Sequence, residues 1–167
     1  LYGEGPRYLS DAGAQPSPEG RGRGGLTGDY VLLPLYSVEG SAGEGQLVET
    51  EEVEDLLAFK RNWIAQELRS TPENLMLIHV QGESMVPTLN PGDVILLERH
   101  DPEQGADGIY ALRMGGALLV KRLQFLPEGA LRVSSDNPAY QPYTVNLKEH
   151  GTDLELIGRV VWAGRRF

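Results

Sequence analysis

Residues 108–126, GIYALRMGGALLVKRLQFL, decide the fold class. Two apolar runs, 109–114 and 117–123, flank the adjacent glycines Gly115 and Gly116. Because paired glycines accept the left-handed conformations of a two-residue turn, this stretch predicts a β-hairpin. The chain is therefore expected to fold through antiparallel strands here.

Short apolar runs separated by turn residues continue the same pattern on both sides of the hairpin. They read LMLIHVQG, DVILLER, LRVSS and ELIGRVVWA. An earlier run, YVLLPLYSV, also has strand composition, although Pro34 should restrict it to a sheet edge or divide it. The fold predicted is mostly β, with compact antiparallel sheets or a partial barrel.

One segment departs from the strand pattern. Residues 51–70, EEVEDLLAFKRNWIAQELRS, bring four apolar side chains near helical spacing: Leu57, Trp63, Ile64 and Leu68. Acidic residues precede the segment and Pro72 follows it. The pattern predicts one short helix over Lys60–Arg69.

Glycine and proline mark the limits of the domain. Residues 1–28 are predicted to form a flexible linker or tail, because GAQPSPEGRGRGGLTG at 13–28 is rich in both and nearly lacks apolar side chains. The folded domain is expected over 29–167. Within it, EGSAGEGQ at 39–46 predicts an exposed loop.

Charge and composition exclude several classes of function. The net charge of −9 argues against a chain that binds nucleic acid by itself, since phosphate contacts need clustered lysine and arginine. No helix-turn-helix pattern is present. Zero cysteines exclude thiolate chemistry, and no apolar run approaches a membrane span. We expect a soluble, cytoplasmic protein without cofactor or metal.

Ser84, in VQGESMVPTLNPGDVIL, is the candidate nucleophile. It follows an apolar strand and precedes a turn, where free backbone N–H groups could face an oxyanion. A turn serine that only satisfies backbone groups is the simpler interpretation. The three histidines, His79, His100 and His150, are poor candidates for its base because no aspartate is placed to orient them.

Lys121 is the better candidate for the base. Strand alternation places it on one face with Leu119 and Leu123. Burial there would lower its pKa, so that a neutral amine could accept the serine proton. A lysine that reaches water from an edge strand remains the alternative on periodicity alone.

Four blocks in this order carry a family resemblance: GESMVPTLNPGDVILLE, DGIYALRMGGALLVKRL, SSDNPAYQPYTV and IGRVVWAGRRF. Together they resemble the self-cleaving domain of LexA and phage CI-type repressors, a Ser-Lys peptidase family that includes UmuD. The resemblance implies that Ser84 is the nucleophile, that Lys121 is the base, and that the Glu83 and Ser84 N–H groups form the oxyanion hole. Asp93 and the SSDNPAY block match structural signatures, without a catalytic role.

The resemblance also implies the substrate, an Ala-Gly bond of the chain itself. Ala42-Gly43 in the 39–46 loop fits that position, and Ala12-Gly13 in the tail is the alternative. The implied partners are a RecA–single-stranded-DNA filament formed in the SOS response to DNA damage and a second copy bound through the C-terminal strand, 157–163. DNA would be bound by a helix-turn-helix domain absent from this chain.

Three other functions are alternatives for a chain with this sequence pattern. A signal-peptidase-like enzyme would use the same serine context and a strand lysine, but it cuts in trans at a membrane. A repressor oligomerisation domain could keep the fold with little proteolysis. A polymerase accessory function like that of UmuD is the third, and the long linker and the helix near Trp63 speak against it.

Overall fold

The computed structural model describes residues 28–37, 53–99, 105–148 and 153–167. Within them the chain forms nine strands: β1 Tyr30–Tyr36, β2 Val53–Lys60, β3 Leu75–His79, β4 Val94–Glu98, β5 Gly108–Met114, β6 Ala117–Phe125, β7 Ala130–Ser134, β8 Tyr143–Asn146 and β9 Leu154–Gly164. The predicted tail, except Gly28, and the predicted 39–46 loop lie outside the described residues. None of the described helices is long and apolar enough to cross a membrane.

All nine strands join one sheet in the order β2-β1-β3-β4-β9-β5-β6-β7-β8. Every neighbouring pair is antiparallel except β1 and β3, which run parallel. The hairpin of β5 and β6 turns at Gly115 and Gly116, whose φ angles are 57° and 77°. Both the mostly β fold and the glycine hairpin predicted from the sequence are confirmed.

The predicted helix is confirmed, but the residues directly before it form a strand, β2. An α-helical turn, Arg61–Trp63, continues into a π-helical turn, Ile64–Leu68. Leu57 had been grouped with the helix, and that grouping is wrong because Leu57 lies in β2 opposite Leu33. Pairing with β1 along the whole of β2 outweighs the local helical spacing.

Pro34 does not confine β1 to an edge of the sheet. Strand β1 lies between β2 and β3, so the edge prediction is wrong. The parallel pairing with β3 involves Leu35 and Tyr36, which follow the proline. Pro34 therefore lies just ahead of this ladder, in a position that proline tolerates.

Among the described residues, three groups of buried side chains form the core. The first contains Met76, Ile78 and Ile95 together with Met85 and Leu89 from the turn after β3. The second packs the helix against the sheet through the buried Ile64. The third lies along β5, β6 and β7 and contains Tyr110, Leu112, Leu123, Leu131 and Val133.

An ion pair ties the end of the chain to the loop that leads into β4. Asp93 is 4% exposed, and both of its carboxylate oxygens accept from Arg165, with the shortest distance 2.7 Å to Nη2. The same carboxylate accepts from the Asn90 N–H at 2.8 Å. Hydrogen bonding to Arg165 holds the pKa of Asp93 below its ordinary value of 3.8.

Replacing Asp93 by asparagine should destabilise the domain at neutral pH. A carboxylate whose folded pKa is lowered stabilises the protein above its ordinary pKa, and this contribution is lost as the pH falls through the folded value. We expect Asp93→Asn to lower the Tm by roughly 5–10 °C at neutral pH, with a smaller difference below about pH 4. Thermal unfolding followed by circular dichroism measures both. Asp153→Asn, at an exposed position, is the control. Equal Tm values for parent and Asp93→Asn at neutral pH would contradict the role of the pair.

Candidate active site

Ser84 lies on the turn that follows β3. Gly82 opens this turn with a φ of 69°, a conformation that residues with a Cβ rarely adopt. Ser84 is half-buried. The side chains of Met85 and Leu89 anchor the turn because they are part of the first core group. The predicted turn position of Ser84 is confirmed, although the preceding strand, β3, ends five residues earlier at His79.

The internal hydrogen bonds of this turn use amides that follow the serine. Val86 N–H donates to Glu83 O at 3.2 Å, and Leu89 N–H donates to Met85 O at 2.9 Å. The Glu83 and Ser84 N–H groups, predicted to form the oxyanion hole, are not used by these two bonds. Their catalytic role stays a prediction.

Lys121 is a buried lysine within β6. It is 8% exposed, lies opposite Tyr110 on β5, and is followed by the exposed Arg122. Alternation along the strand puts it on the side of Leu123, which belongs to the third core group, and of Leu119, which packs against that group. Burial lowers the pKa of Lys121 below its ordinary value of 10.5. The buried position expected from the sequence is confirmed.

The Lys121 amine contacts the segment that follows β7. Its Nζ donates to Ser135 Oγ at 2.9 Å and lies 5.3 Å from the centre of the Tyr140 ring. Pairing of β6 with β7 begins at Arg122, opposite Ser134. The chain leaving β7 therefore passes directly beside Lys121.

The same segment, residues 135–140, contacts the serine turn. Asn137 N–H donates to Ser84 O at 3.0 Å, and Asn137 Nδ2 donates to Glu83 O, also at 3.0 Å. Ser84 and Lys121 are thus held by one short piece of chain, through the backbone of the serine and the side chain of the lysine. The remaining predicted site residues, Ala42 and Gly43, lie outside the described residues.

Sequence reasoning missed the contacts of the 135–140 segment. The SSDNPAY block had been treated as a structural signature, yet its serine binds the candidate base and its asparagine binds the nucleophile turn. Four polar residues in succession before a proline, SSDNP, were the available signal. Nothing in their spacing indicates which distant strand or turn they contact.

The buried amine should cost the folded protein stability. Because the folded state disfavours the charged lysine, this cost is present at neutral pH and fades as the pH rises toward the ordinary lysine pKa of 10.5. We expect Lys121→Met to raise the free energy of unfolding by about 0.5–2 kcal/mol at neutral pH. Chemical denaturation of the variant and of the exposed-site control Lys148→Met measures the difference. A Lys121→Met variant less stable than the parent would contradict the cost.

Comparison with known proteins places these features in a family. The model of the Peptidase S24-like family matches residues 34–161, which is most of the chain and includes both Ser84 and Lys121. The 26 kDa repressor protein of Escherichia phage HK022 is 32% identical over 138 residues, covering 80% of this chain and 57% of the relative.

A second relative is the HTH-type transcriptional regulator PrtR of Pseudomonas aeruginosa. It is 31% identical over 143 residues, covering 82% of this chain and 54% of the relative. The chain thus spans little more than half the length of the curated relatives it matches. With the mostly β fold, these matches confirm the resemblance to the LexA and CI-type domain, and the chain belongs to the Peptidase S24-like family.

Proposed function

We propose that this chain is the C-terminal domain of a LexA/CI-like transcriptional repressor that cuts its own Ala42-Gly43 bond. Ser84 is the nucleophile and Lys121 is the general base. The relatives named as a repressor and as a helix-turn-helix regulator support the regulatory setting. Cleavage separates the domain from whatever precedes the loop and so inactivates the repressor.

The observation that carries the proposal is the buried, hydrogen-bonded Lys121. A lysine that is 8% exposed and has a lowered pKa costs the folded protein stability, and groups perturbed in this way are concentrated at functional sites. Its amine and the Ser84 turn contact the same segment, 135–140. A base of this kind beside a serine turn suits a Ser-Lys dyad.

Strand direction supports cleavage within one chain. Strands β1 and β3 run parallel, with Tyr36 opposite Ile78, so the chain leaves both strands at the same end of the sheet. Ala42 and Ser84 each follow six residues beyond these partners. The connection that carries the bond and the turn that carries the nucleophile therefore start side by side. Such proximity makes an intramolecular reaction efficient.

The first chemical step is acylation. The neutral Lys121 amine takes the Ser84 hydroxyl proton while Oγ attacks the carbonyl carbon of Ala42. The oxyanion is held by the N–H groups of Glu83 and Ser84. The carbon–nitrogen bond then breaks, and the Lys121 ammonium returns its proton to the leaving Gly43 amine.

Deacylation releases the cut chain. Lys121 takes a proton from water, whose oxygen attacks the acyl carbon, and Ser84 Oγ leaves and regains the proton. Each step needs the neutral lysine first, so the rate should rise with pH and level off above the lowered pKa of Lys121.

Control of the reaction must lie in how often the loop is docked. A site that always held its own bond would destroy the protein, so the cleavable arrangement must be a minor population. A RecA–single-stranded-DNA filament that favours this arrangement would switch cleavage on. DNA binding itself is assigned to a helix-turn-helix domain outside this chain.

A homodimer is also part of the proposal. The predicted contact, 157–163, lies in β9, which pairs with β5 only from Leu154 to Arg159 and with β4 from Arg159 to Gly164. A second copy could therefore contact residues 160–163 along the edge that β5 does not cover, as well as through side chains on a face of the sheet.

Incubation from neutral to alkaline pH, followed by intact mass, tests the function. The parent should yield two fragments that meet at Ala42 and Gly43, at a rate that increases with pH. Ser84→Ala and Lys121→Ala should each reduce the rate about 10³-fold or more, because each removes a group that the chemistry requires. Lys148→Ala removes an exposed lysine and should cleave as the parent does.

Dilution separates cleavage in cis from cleavage in trans. An intramolecular reaction keeps its first-order rate constant after about tenfold dilution, whereas cutting between copies slows in proportion. Fragments that meet at Ala12 and Gly13 would show that the cleaved bond is the alternative one in the tail. No cleavage at alkaline pH or with activated RecA would leave an oligomerisation domain with little proteolysis as the function.

A further inference from the structure

Three consecutive residues after β7 each contact a different part of the candidate site. Ser135 accepts from Lys121, and Asn137 donates to the carbonyl groups of Glu83 and Ser84. Between them, Asp136 makes two 2.7 Å hydrogen bonds with Arg122, and its pKa is lowered by these bonds and by one from the Thr88 side chain.

We propose that residues 135–137 are the positioning element of the site, with Ser135 orienting the base and Asn137 orienting the oxyanion hole. The inference rests on the proposed Ser84–Lys121 function and deepens it. These residues act through Lys121 and Ser84 and do not touch the scissile bond.

Ser135 determines where the lone pair of the amine can point. A neutral amine has two N–H groups and one lone pair. One N–H donates to Ser135 Oγ at 2.9 Å, and Nζ also lies 5.3 Å from the centre of the Tyr140 ring. These two contacts restrict rotation about the last side-chain bond. A fixed amine can keep its lone pair available to the serine hydroxyl.

Ser135 also affects the charge of the amine. A hydroxyl oxygen accepts more strongly from an ammonium than from a neutral amine, so this hydrogen bond favours the charged form. The other titratable groups of the surrounding elements are Tyr110 on β5, whose hydroxyl donates to Ala106 O, Tyr140, and Asp136, whose carboxylate is paired with Arg122. Removing the Ser135 hydroxyl should therefore lower the pKa of Lys121 further.

Asn137 fixes the peptide unit that joins Glu83 to Ser84. In a trans peptide the C=O and N–H groups point in opposite directions. Glu83 O accepts from Asn137 Nδ2 at 3.0 Å, so the Ser84 N–H of the same unit is directed away from Asn137. The backbone N–H of Asn137 holds the next carbonyl, that of Ser84, at 3.0 Å. Both contacts keep one predicted oxyanion donor in a fixed direction.

Asp136 fastens this element to β6 and to the serine turn. Its paired hydrogen bonds to Arg122 have the bidentate geometry that restrains both partners. The Thr88 contact adds a link to the turn. The segment is therefore tied to both structures that it orients.

The pH profile of self-cleavage in the full 167-residue chain distinguishes the two roles. Ser135→Ala should lower the plateau rate about tenfold and move the midpoint of the profile to lower pH. Asn137→Ala should lower the plateau about ten- to hundredfold without moving the midpoint, a smaller loss than the 10²–10³ for removing a donor outright. Ser135→Thr keeps the hydroxyl and should retain the parent midpoint.

Ser134→Ala is the matched control, since the Ser134 hydroxyl donates to Arg122 O instead of contacting Lys121. It should leave the profile unchanged. A Ser135→Ala profile with the parent midpoint would overturn the role of Ser135, and an Asn137→Ala plateau equal to that of the parent would overturn the role of Asn137. Circular dichroism at each pH verifies that the variants are folded.

A second readout does not need proteolysis. In the Ser84→Ala background, lysine-labelled protein titrated by NMR should show a lower pKa for Lys121 when Ser135→Ala is added. Identical titrations would overturn the inference. A parent chain that never cleaves would contradict the proposed function alone, because the Ser135 effect on Lys121 would still be measured.

Discussion

The burial of one amine, that of Lys121, is the constraint on which the site depends. Strand β6 carries the lysine on a side shared with apolar residues, and burial lowers its pKa. A lysine kept charged by solvent could not serve as a base near neutral pH. The stability that the charged form costs is offset by packing elsewhere in the sheet, as is common where function requires a strained or costly group.

The sheet brings the rest of the site to this amine. Pairing of β6 with β7 returns the chain beside Lys121, and residues 135–137 then reach across to the serine turn. Strands β1 and β3 run parallel, so the chain leaves both strands at the same end of the sheet. The serine turn and the connection after Tyr36 therefore begin next to each other. The order of the strands thus brings distant stretches of the sequence together in space.

Local pattern predicted the features that neighbours in sequence determine. Two glycines specify the β5–β6 turn, and alternation specifies the side on which Lys121 lies. Local pattern did not predict the features that depend on contacts with residues distant in sequence. Strand β2 was missed because Leu57 fits helical spacing until β1 pairs with it. The pairing of Asp93 with Arg165 and the contacts of Asn137 also depend on packing between remote segments.

The most direct test of the buried base is the pKa of Lys121 itself. The chain contains three lysines, so the amine signals of lysine-labelled Ser84→Ala protein can be assigned by single substitutions. The account predicts that Lys121 titrates below the ordinary lysine value of 10.5. A Lys121 that titrates at or above 10.5 in the folded protein would contradict its role as the base.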